Sequence, residues 1–467
     1  MSLLHTLGLA SQALNTQSRS LETIAENLAH ADDPHYSRRR VVRQSLPGAW
    51  SAGGVAARSG PVNGAAPRVA GVVRERDQLV ERRLRQATAE RDAAEAMEKV
   101  WRSLEDLLDE PSGAGSISRL WNDLEQAVLE WTGRPDDNGV RRVVVERASD
   151  LAAGIRRLAQ GLNEIKQSEQ EALDRGIERV KELLRELARL NGSIRQAERG
   201  FGAYGETRYA NDLRDRRDAI LRELSAFAPF TVREAASDTK DEPDLRIELN
   251  GKILVQGDTV IPDLDDYWRS IDLEKELAGQ SGMLEAHLDV QGKLGGPDEP
   301  GTLRWTLEAM AKALQEKTLE LLGVELFSTT AGPSVAENLT VHPELLENPS
   351  QLQASEDQIR AWLLWLQGSP GDESTGATEP HPLETYRNEI VARAGEWSRA
   401  AERARMAAED RVTHLQAIRQ SEVGVSPDEE MIALVATEKA YAAAAQLVRA
   451  LDQALGTVIE LLGGAGR

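Results

Sequence analysis

Near the N-terminus apolar side chains recur at alternating spacings of four and three: Leu3, Leu7, Ala10, Leu14, Leu21, Ile24 and Leu28 share one seam, interrupted only by Gln17. The same seven-residue period returns near the other end in Leu434, Thr437, Tyr441, Ala444, Val448, Leu451, Leu455, Val458 and Leu462, with Thr437 as its polar member. Such a period predicts a helix whose narrow apolar stripe faces a second helix. Ser426-Pro427-Asp428-Glu429 marks the start of the later helix as a capping box, with Ser426 as cap, Pro427 in the first turn and Glu429 reaching back. Burying a large apolar side chain contributes about 1.5–3 kcal/mol. Ordering one backbone residue costs about 1–2 kcal/mol. The seam alone therefore does not cover the ordering of its own helix. Each end needs a partner, either the other end or a neighbouring molecule.

Between the ends the period changes several times. Pro34 is expected to stop the first helix, and Arg38, Arg39, Arg40 and Arg43 open a Gly-, Ala- and Pro-rich stretch that reads as an extended linker to about residue 68. Helical patterns follow over 77–108 and 117–131, then a turn at 133–136 and a much longer helix. Along that helix Leu151, Ile155, Leu158, Leu162 and Ile165 keep one register. Leu173, Ile177, Val180, Leu184 and Leu187 keep another, so the seam slips near Glu169. Residues 230–232, 245–249 and 252–255 alternate about Asn250-Gly251, which predicts a β-hairpin. Helices return over 302–322, 356–366 and 383–418.

Composition agrees with a mostly α fold, because aromatics make up only 4% of the 467 residues while Ala, Leu, Glu and Arg dominate. The net charge of -21 argues against nucleic acid and anionic membrane surfaces as partners, since both demand a basic footprint. No apolar run approaches the length of a membrane span, and the first residues lack the order of a cleaved signal peptide. Export, if it occurs, is expected to use another route. With no cysteine, disulfides and thiolate metal sites are excluded.

The chain offers little catalytic chemistry. Its seven histidines, at 5, 30, 35, 287, 342, 381 and 414, lack zinc-site spacing. Gly53-Gly54 and Gly60-Pro61 are not set between a strand and a helix as a phosphate loop requires, and no Ser lies in a Gly-x-Ser-x-Gly elbow. Asp265-Asp266 and Glu429-Glu430 read as solvated or helix-start acids. Catalytic, cofactor-binding and metal-binding residues are all expected to be none, and the chain is expected not to be an enzyme. Arg38, Arg39 and Arg40 read as a solvated run, with salt bridges to an acidic neighbour in an assembly as the alternative.

Three segments carry a family resemblance. Residues 25–41 resemble the N-terminal signature of flagellar rod, hook and hook-associated proteins through Asn27, Leu28, Ala29, Pro34, Tyr36, Ser37 and Arg38; His30, Asp33 and His35 depart from it. Residues 210–225 are similar to a segment of the hook-associated protein 1 family in Asn211, Asp212, Leu213, Asp215, Arg217 and Asp218. Helix-local pairs Asp212/Arg216, Arg214/Asp218 and Asp218/Arg222 would by themselves account for those charges. Residues 424–443 resemble the family's terminal helix, with Glu438 in place of Gln and Thr437 in place of an aromatic.

The order of the three is that of the hook-filament junction family. The resemblance implies long heptad helices from both termini forming a coiled-coil assembly domain (1–45 plus 420–467). It further implies a helical rod domain (70–228 plus 300–419) and a small β-rich insertion (229–299) as a reduced outer domain. It implies a secreted structural subunit of the bacterial flagellum that joins hook to filament. The assembly interface falls on Leu3, Leu7, Leu14, Leu21, Ile24, Leu28, Leu434, Tyr441, Val448, Leu451, Leu455, Val458 and Leu462. Implied partners are copies of itself, hook and other hook-associated proteins, the flagellar type III export apparatus and an export chaperone that binds the C-terminal helix. A different rod or hook subunit, a secreted cell-wall hydrolase and a cytosolic coiled-coil scaffold remain as alternatives.

Overall fold

In the computed structural model, the residues described are 3–33, 36–45, 67–110, 113, 115–199, 209–234, 245–330, 332–368 and 381–464. The fold is mostly α. Helix α1 (Leu3–Ala29) is followed by strands β1 (Arg39–Ser45) and β2 (Pro67–Arg74), then by α2 (Gln78–Leu108), α3 (Ile117–Gly133) and the 61-residue α4 (Asn138–Glu198). Helix starts are marked by side chains: Asp77, Ser116 and Asp137 each accept main-chain N–H bonds in the first turns of α2, α3 and α4.

The slip in α4 marks a change of partner. Leu151, Ile155, Leu158 and Leu162 enter one apolar core, and Leu173, Val180, Leu184 and Leu187 enter another. From 163 to 172 only Glu169 is buried, and its Oε2 lies 2.6 Å from His287 Nδ1. The first core gathers Trp101, Trp121 and Trp131 from α2 and α3. Later elements complete it: α9 (Leu303–Leu322), the hairpin β7 (Phe327–Thr329) and β8 (Leu339–Val341) with α10 (Val335–Asn338) between its strands, the short α11 (Pro343–Glu347) and α12 (Glu356–Leu366).

The second core packs α4 and α5 (Asn211–Phe227) against an antiparallel meander of β3 (Thr231–Glu234), β4 (Leu245–Leu249), β5 (Lys252–Gln256) and β6 (Thr259–Val260). In β4 the buried residues alternate as Leu245, Ile247 and Leu249. The β4–β5 turn places Asn250 and Gly251 at positive φ (48° and 81°), as the Asn-Gly pair predicts. Within the stretch expected to be β-rich, strand structure ends at Val260, and α6 (Leu264–Ser270), α7 (Leu273–Leu277) and α8 (Met283–Leu294) fill most of the remainder. Helical spacing of Leu284, Leu288 and the Asp272 cap outweigh the nearby strand signals there. Gly176 on α4 lets α8 approach closely, since a Cβ at that position would meet Leu284 Cδ2 at 2.8 Å.

Two long arms connect this body to the chain ends. Helix α13 (Pro382–Tyr386) runs through a π-helical turn (Arg387–Ala392) into α14 (Arg393–Val423), which lies antiparallel to α2. The direction is read from Trp397 against Trp101 and from the ion pairs Arg405–Glu98 (2.5 Å), Arg411–Glu90 (2.6 Å) and Arg419–Glu81 (2.7 Å). Small residues Ala87, Ala401 and Ala408 are buried along the arms, with Leu84 and Val412 near their far end.

Beyond the arms α1 packs beside α15 (Pro427–Gly464). The stretch expected to be a linker begins and ends in strands, because β1 and β2 pair antiparallel from Arg39↔Arg74 to Ser45↔Pro67 with a bulge at Val42/Arg43. Residues 46–66 and Pro34 lie outside the described residues.

Candidate functional site

The polar stripe Thr16, Ser20, Thr23 and Asn27 on α1 is buried, although the sequence pattern singles out the apolar one. Thr16, Ser20 and Thr23 satisfy their hydroxyls on the carbonyl four residues back, at 2.8–2.9 Å, so these small side chains can be covered without an unpaired donor. The Arg43 guanidinium of β1 donates to Ser20 Oγ at 3.1 Å, which places the strand ribbon against this stripe. The apolar seam lies on a different side of α1. Leu7, Leu14, Leu21, Ile24 and Leu28 are half-buried, as are Leu434, Tyr441, Val448, Leu451 and Leu455 of α15, while Val458 is exposed. Leu3 and Leu462 lie within the two helices.

At the base of this pair, Asn27 joins the chain ends. Its Nδ2 donates to Arg39 O (3.0 Å) and Glu430 Oε2 (3.3 Å); its Oδ1 accepts from Arg39 N (2.9 Å) and Tyr36 OH (2.9 Å). All four bonding capacities of the amide are used. An aspartate would lose both donors. Burial pushes the Tyr36 phenol well above its usual value against the opposing charge of Arg39, so the hydroxyl remains a donor. His30 stacks on the Tyr36 ring at 4.9 Å, and the Arg39 guanidinium also lies 4.9 Å from that ring. Ser37 is buried beside them in sequence, whereas Ala29 is exposed at the helix end.

The arginine run is not solvated as expected. Arg38 donates through Nε to Glu430 Oε1 at 2.8 Å, and its Nη2 also lies 2.8 Å from that oxygen. Glu429 turns its carboxylate to Arg38 at 3.5 Å, while its main-chain N–H reaches Ser426 Oγ at 3.5 Å. Arg39 pairs with Glu26 at 3.0 Å, with Asp212 and with Asp215 at 3.6 Å; Arg40 pairs with Glu75 at 3.1 Å. Complementary acids on α5 and α15 thus hold this turn inside the same chain.

The second matched segment meets the first here. Arg74, from the end of β2, bonds Asp215 (2.7 Å) and Asp218 (2.9 Å), and Arg76 adds a contact to Asp218 at 3.1 Å. Asn211 donates to Val72 O at 3.0 Å, Leu213 packs on the second core, and Arg217 is buried. Helix-local pairing does not account for these charges. Arg214 binds Glu198 with two bonds of 2.6 Å and Arg216 binds Glu186 at 2.7 Å, both across to α4, while Arg222 Nε reaches the Asp218 carbonyl at 3.3 Å. Burial raises the Asp215 carboxyl despite the facing Arg74 and Arg39. For Glu198 burial pushes upward, but the bonds from Arg214 and Ala210 N outweigh it and hold the value low.

The signature residues Asn27, Tyr36, Arg38, Asn211, Asp212, Asp215 and Asp218 therefore belong to one hub that fastens α1 and α15 to the body. Sequence reasoning missed Arg74 and Arg76, which pair with Asp215 and Asp218, and the acids Glu26 and Glu198, which pair with Arg39 and Arg214. Only the Glu429-Glu430 pair stood near a recognised pattern. A groove of about 330 Å³ opens beside the hub, with Ser20, Thr23, Arg40, Arg43 and Thr437 in its wall. Among the described residues no group of three or more His, Cys, Asp or Glu could hold a metal ion. Oriented ion pairs and helix faces are what this site supplies.

Two family models match. The helical domain of the flagellar hook-associated protein FlgK matches residues 95–300, and the C-terminal domain of the flagellar basal body rod FlgEFG proteins matches residues 419–461. Over 98% of this chain and 98% of the relative, the sequence is 23% identical to flagellar hook-associated protein 1 of Bacillus subtilis (strain 168). A solved structure, the flagellar hook junction protein FlgK from Burkholderia pseudomallei, aligns with a TM-score of 0.41 and 15% identity over 54% of this chain and 47% of that one.

Proposed function

We propose that this chain, a member of the flagellar hook-associated protein family, polymerises through α1 and α15 at the junction of hook and filament. The family is a structural one of the flagellum, and its function is that of a hook-associated protein. The observation that supports the finer reading is the half-covered seam: α1 and α15 lie side by side, and their apolar positions are only half-buried, which leaves surface for further helices. Ile432 is 72% exposed, and the helical region 382–458 contains an 18-residue window of mean hydropathy 1.2 with none of it buried. By length and composition that window could cross a membrane. The Glu438, Lys439, Arg449 and Asp452 side chains distributed along α15 favour a protein partner.

In this reading the terminal pair packs against the same pair in neighbouring copies and against hook and other hook-associated subunits. The body, with its two cores, projects from that assembly. The division into a terminal assembly unit, a helical rod and a small β-bearing part follows the same logic, with the hub as the joint. Export through the flagellar type III apparatus, with a chaperone holding the C-terminal helix, would keep the exposed stripe of α15 covered until assembly.

The test is incorporation. Leu21→Asp together with Leu451→Asp is expected to abolish recovery of the protein with isolated hook-basal structures and to stop motility. The circular dichroism and secretion of the variant stay near those of the unaltered protein. Normal incorporation of that variant would refute assembly through the seam.

A further inference from the structure

The groove beside the hub opens where three elements meet. Ser20 and Thr23 of α1, Arg40 and Arg43 of β1, and Ala433 and Thr437 of α15 bound its volume of about 330 Å³. The carboxylates in its wall, Glu75 and Glu430, are engaged on both oxygens. Glu430 takes Arg38 on Oε1 at 2.8 Å and Asn27 on Oε2 at 3.3 Å; Glu75 takes Arg40 on Oε1 at 3.1 Å and faces Arg38 with Oε2 at 4.0 Å. Arg43 is left with a hydroxyl. Its Nη2 reaches Ser20 Oγ at 3.1 Å, and the exposed guanidinium makes no ion pair among the described residues. The rest of its fork keeps donors for a carboxylate from outside.

Asp452 of α15 has the opposite deficit. It is exposed and makes no hydrogen bond or ion pair among the described residues. With Leu434, Tyr441 and Val448 at the a positions of the heptad, Ala433 falls at g and Asp452 at e, on opposite edges of the seam, where neighbouring helices exchange ion pairs. At 1.5 Å per residue Asp452 stands about 22 Å along the helix from Thr437, too far to reach its own groove. A cation on one edge and an anion on the other that cannot meet within one chain suit a head-to-tail contact between copies. At a net charge of -21, a second copy is rich in what the groove lacks.

We propose that the groove of one copy receives Asp452 of the next, pairing it with Arg43, so that the terminal pairs join head to tail. This contact rests on the assembly reading: the half-covered seam supplies the area, and the groove fixes which edge of one pair meets which edge of its neighbour.

Incorporation with isolated hook-basal structures is the readout, scored beside the secretion and circular dichroism of each variant. Arg43→Glu and Asp452→Arg are each expected to lower incorporation about tenfold or more. The two together in one chain are expected to recover most of it, because each contact between copies again pairs opposite charges. Arg43→Glu with Glu438→Arg, which reverses the other exposed e-position acid, should not recover. A single variant that also loses its circular dichroism is judged by the rescue alone. Recovery through Glu438→Arg in place of Asp452→Arg, or recovery with neither, would overturn the contact. Parent-level incorporation of the single variants while Leu21→Asp with Leu451→Asp is excluded would overturn it and leave the assembly reading standing; normal incorporation of all of them would remove both.

Discussion

Helix α4 and the terminal pair are built on the same kind of apolar period, yet they end in opposite states. Along α4, Leu151, Ile155, Leu162 and Leu184 are fully enclosed, because α2, α3, α5, α8 and α9 supply the missing faces within the chain. On α1 and α15 the corresponding positions are half-covered, since each helix finds mainly the other and the strand ribbon on the polar side of α1. A period shows that a partner is needed. The partner's location is set by how many helices the rest of the chain can bring to it.

The widest separation between the two regions comes from cavity formation. Trp121→Ala, within the first core and fully buried, is expected to cost about 3–5 kcal/mol, read as a lower denaturant midpoint for the body. Leu451→Ala in the half-buried seam is expected to cost the isolated chain less than about 1.5 kcal/mol while impairing incorporation. Equal losses in the two variants would erase the distinction.

The hub comes next. Glu430→Ala deprives Arg38 and Asn27 of their shared acceptor and is expected to cost about 2–3 kcal/mol, felt by the terminal pair more than by the body. Amide exchange resolved by segment checks this. Faster exchange along α1 and α15 with unchanged exchange along α4 is the expected pattern.

How much of this was legible depends on where each partner lies in the chain. Helices and their seams follow from local spacing, and so does the slip near Glu169, which the fold converts into two cores on one helix. The β1–β2 ribbon was hidden. Its apolar residues come in adjacent pairs, Val41-Val42 and Val72-Val73, and the bulge after Val42 breaks the alternation that marks a strand. The hub was legible by half. Resemblance picks out Asn27, Tyr36, Arg38 and Asp218, but locally the Arg38 charge reads as solvated and the Asp218 charge as paired with helix neighbours. Pairing of Arg38 with Glu430 or Arg74 with Asp218 spans too much sequence for any local pattern to carry.

A smaller effect lies in the pH dependence of the body. Burial pushes the Glu308 carboxyl upward, but bonds from Ala336 N, Val335 N and Ser334 Oγ outweigh it and hold the value below the usual range. A folded value below the unfolded one contributes stability that is present above the unfolded value, near pH 4.3–4.5, and is lost as pH falls through the folded value. Glu308→Gln is expected to cost about 1–2 kcal/mol at pH 7 and to flatten the acid limb of the stability curve, measured by urea unfolding from pH 3 to 7. Smallest is Ser355→Ala, which removes the capping box with Gln358 at the start of α12 and should cost about 1 kcal/mol in the same assay.

Hydrogen exchange on a verified monomer, compared with the assembled form, tests most directly whether the terminal pair awaits further partners. Slow exchange is expected along the packed parts of α4 in both states. Residues 6–29 and 430–458 should exchange markedly faster in the monomer and become slow on assembly. Protection of those two segments in the monomer equal to that of α4, unchanged by assembly, would contradict it.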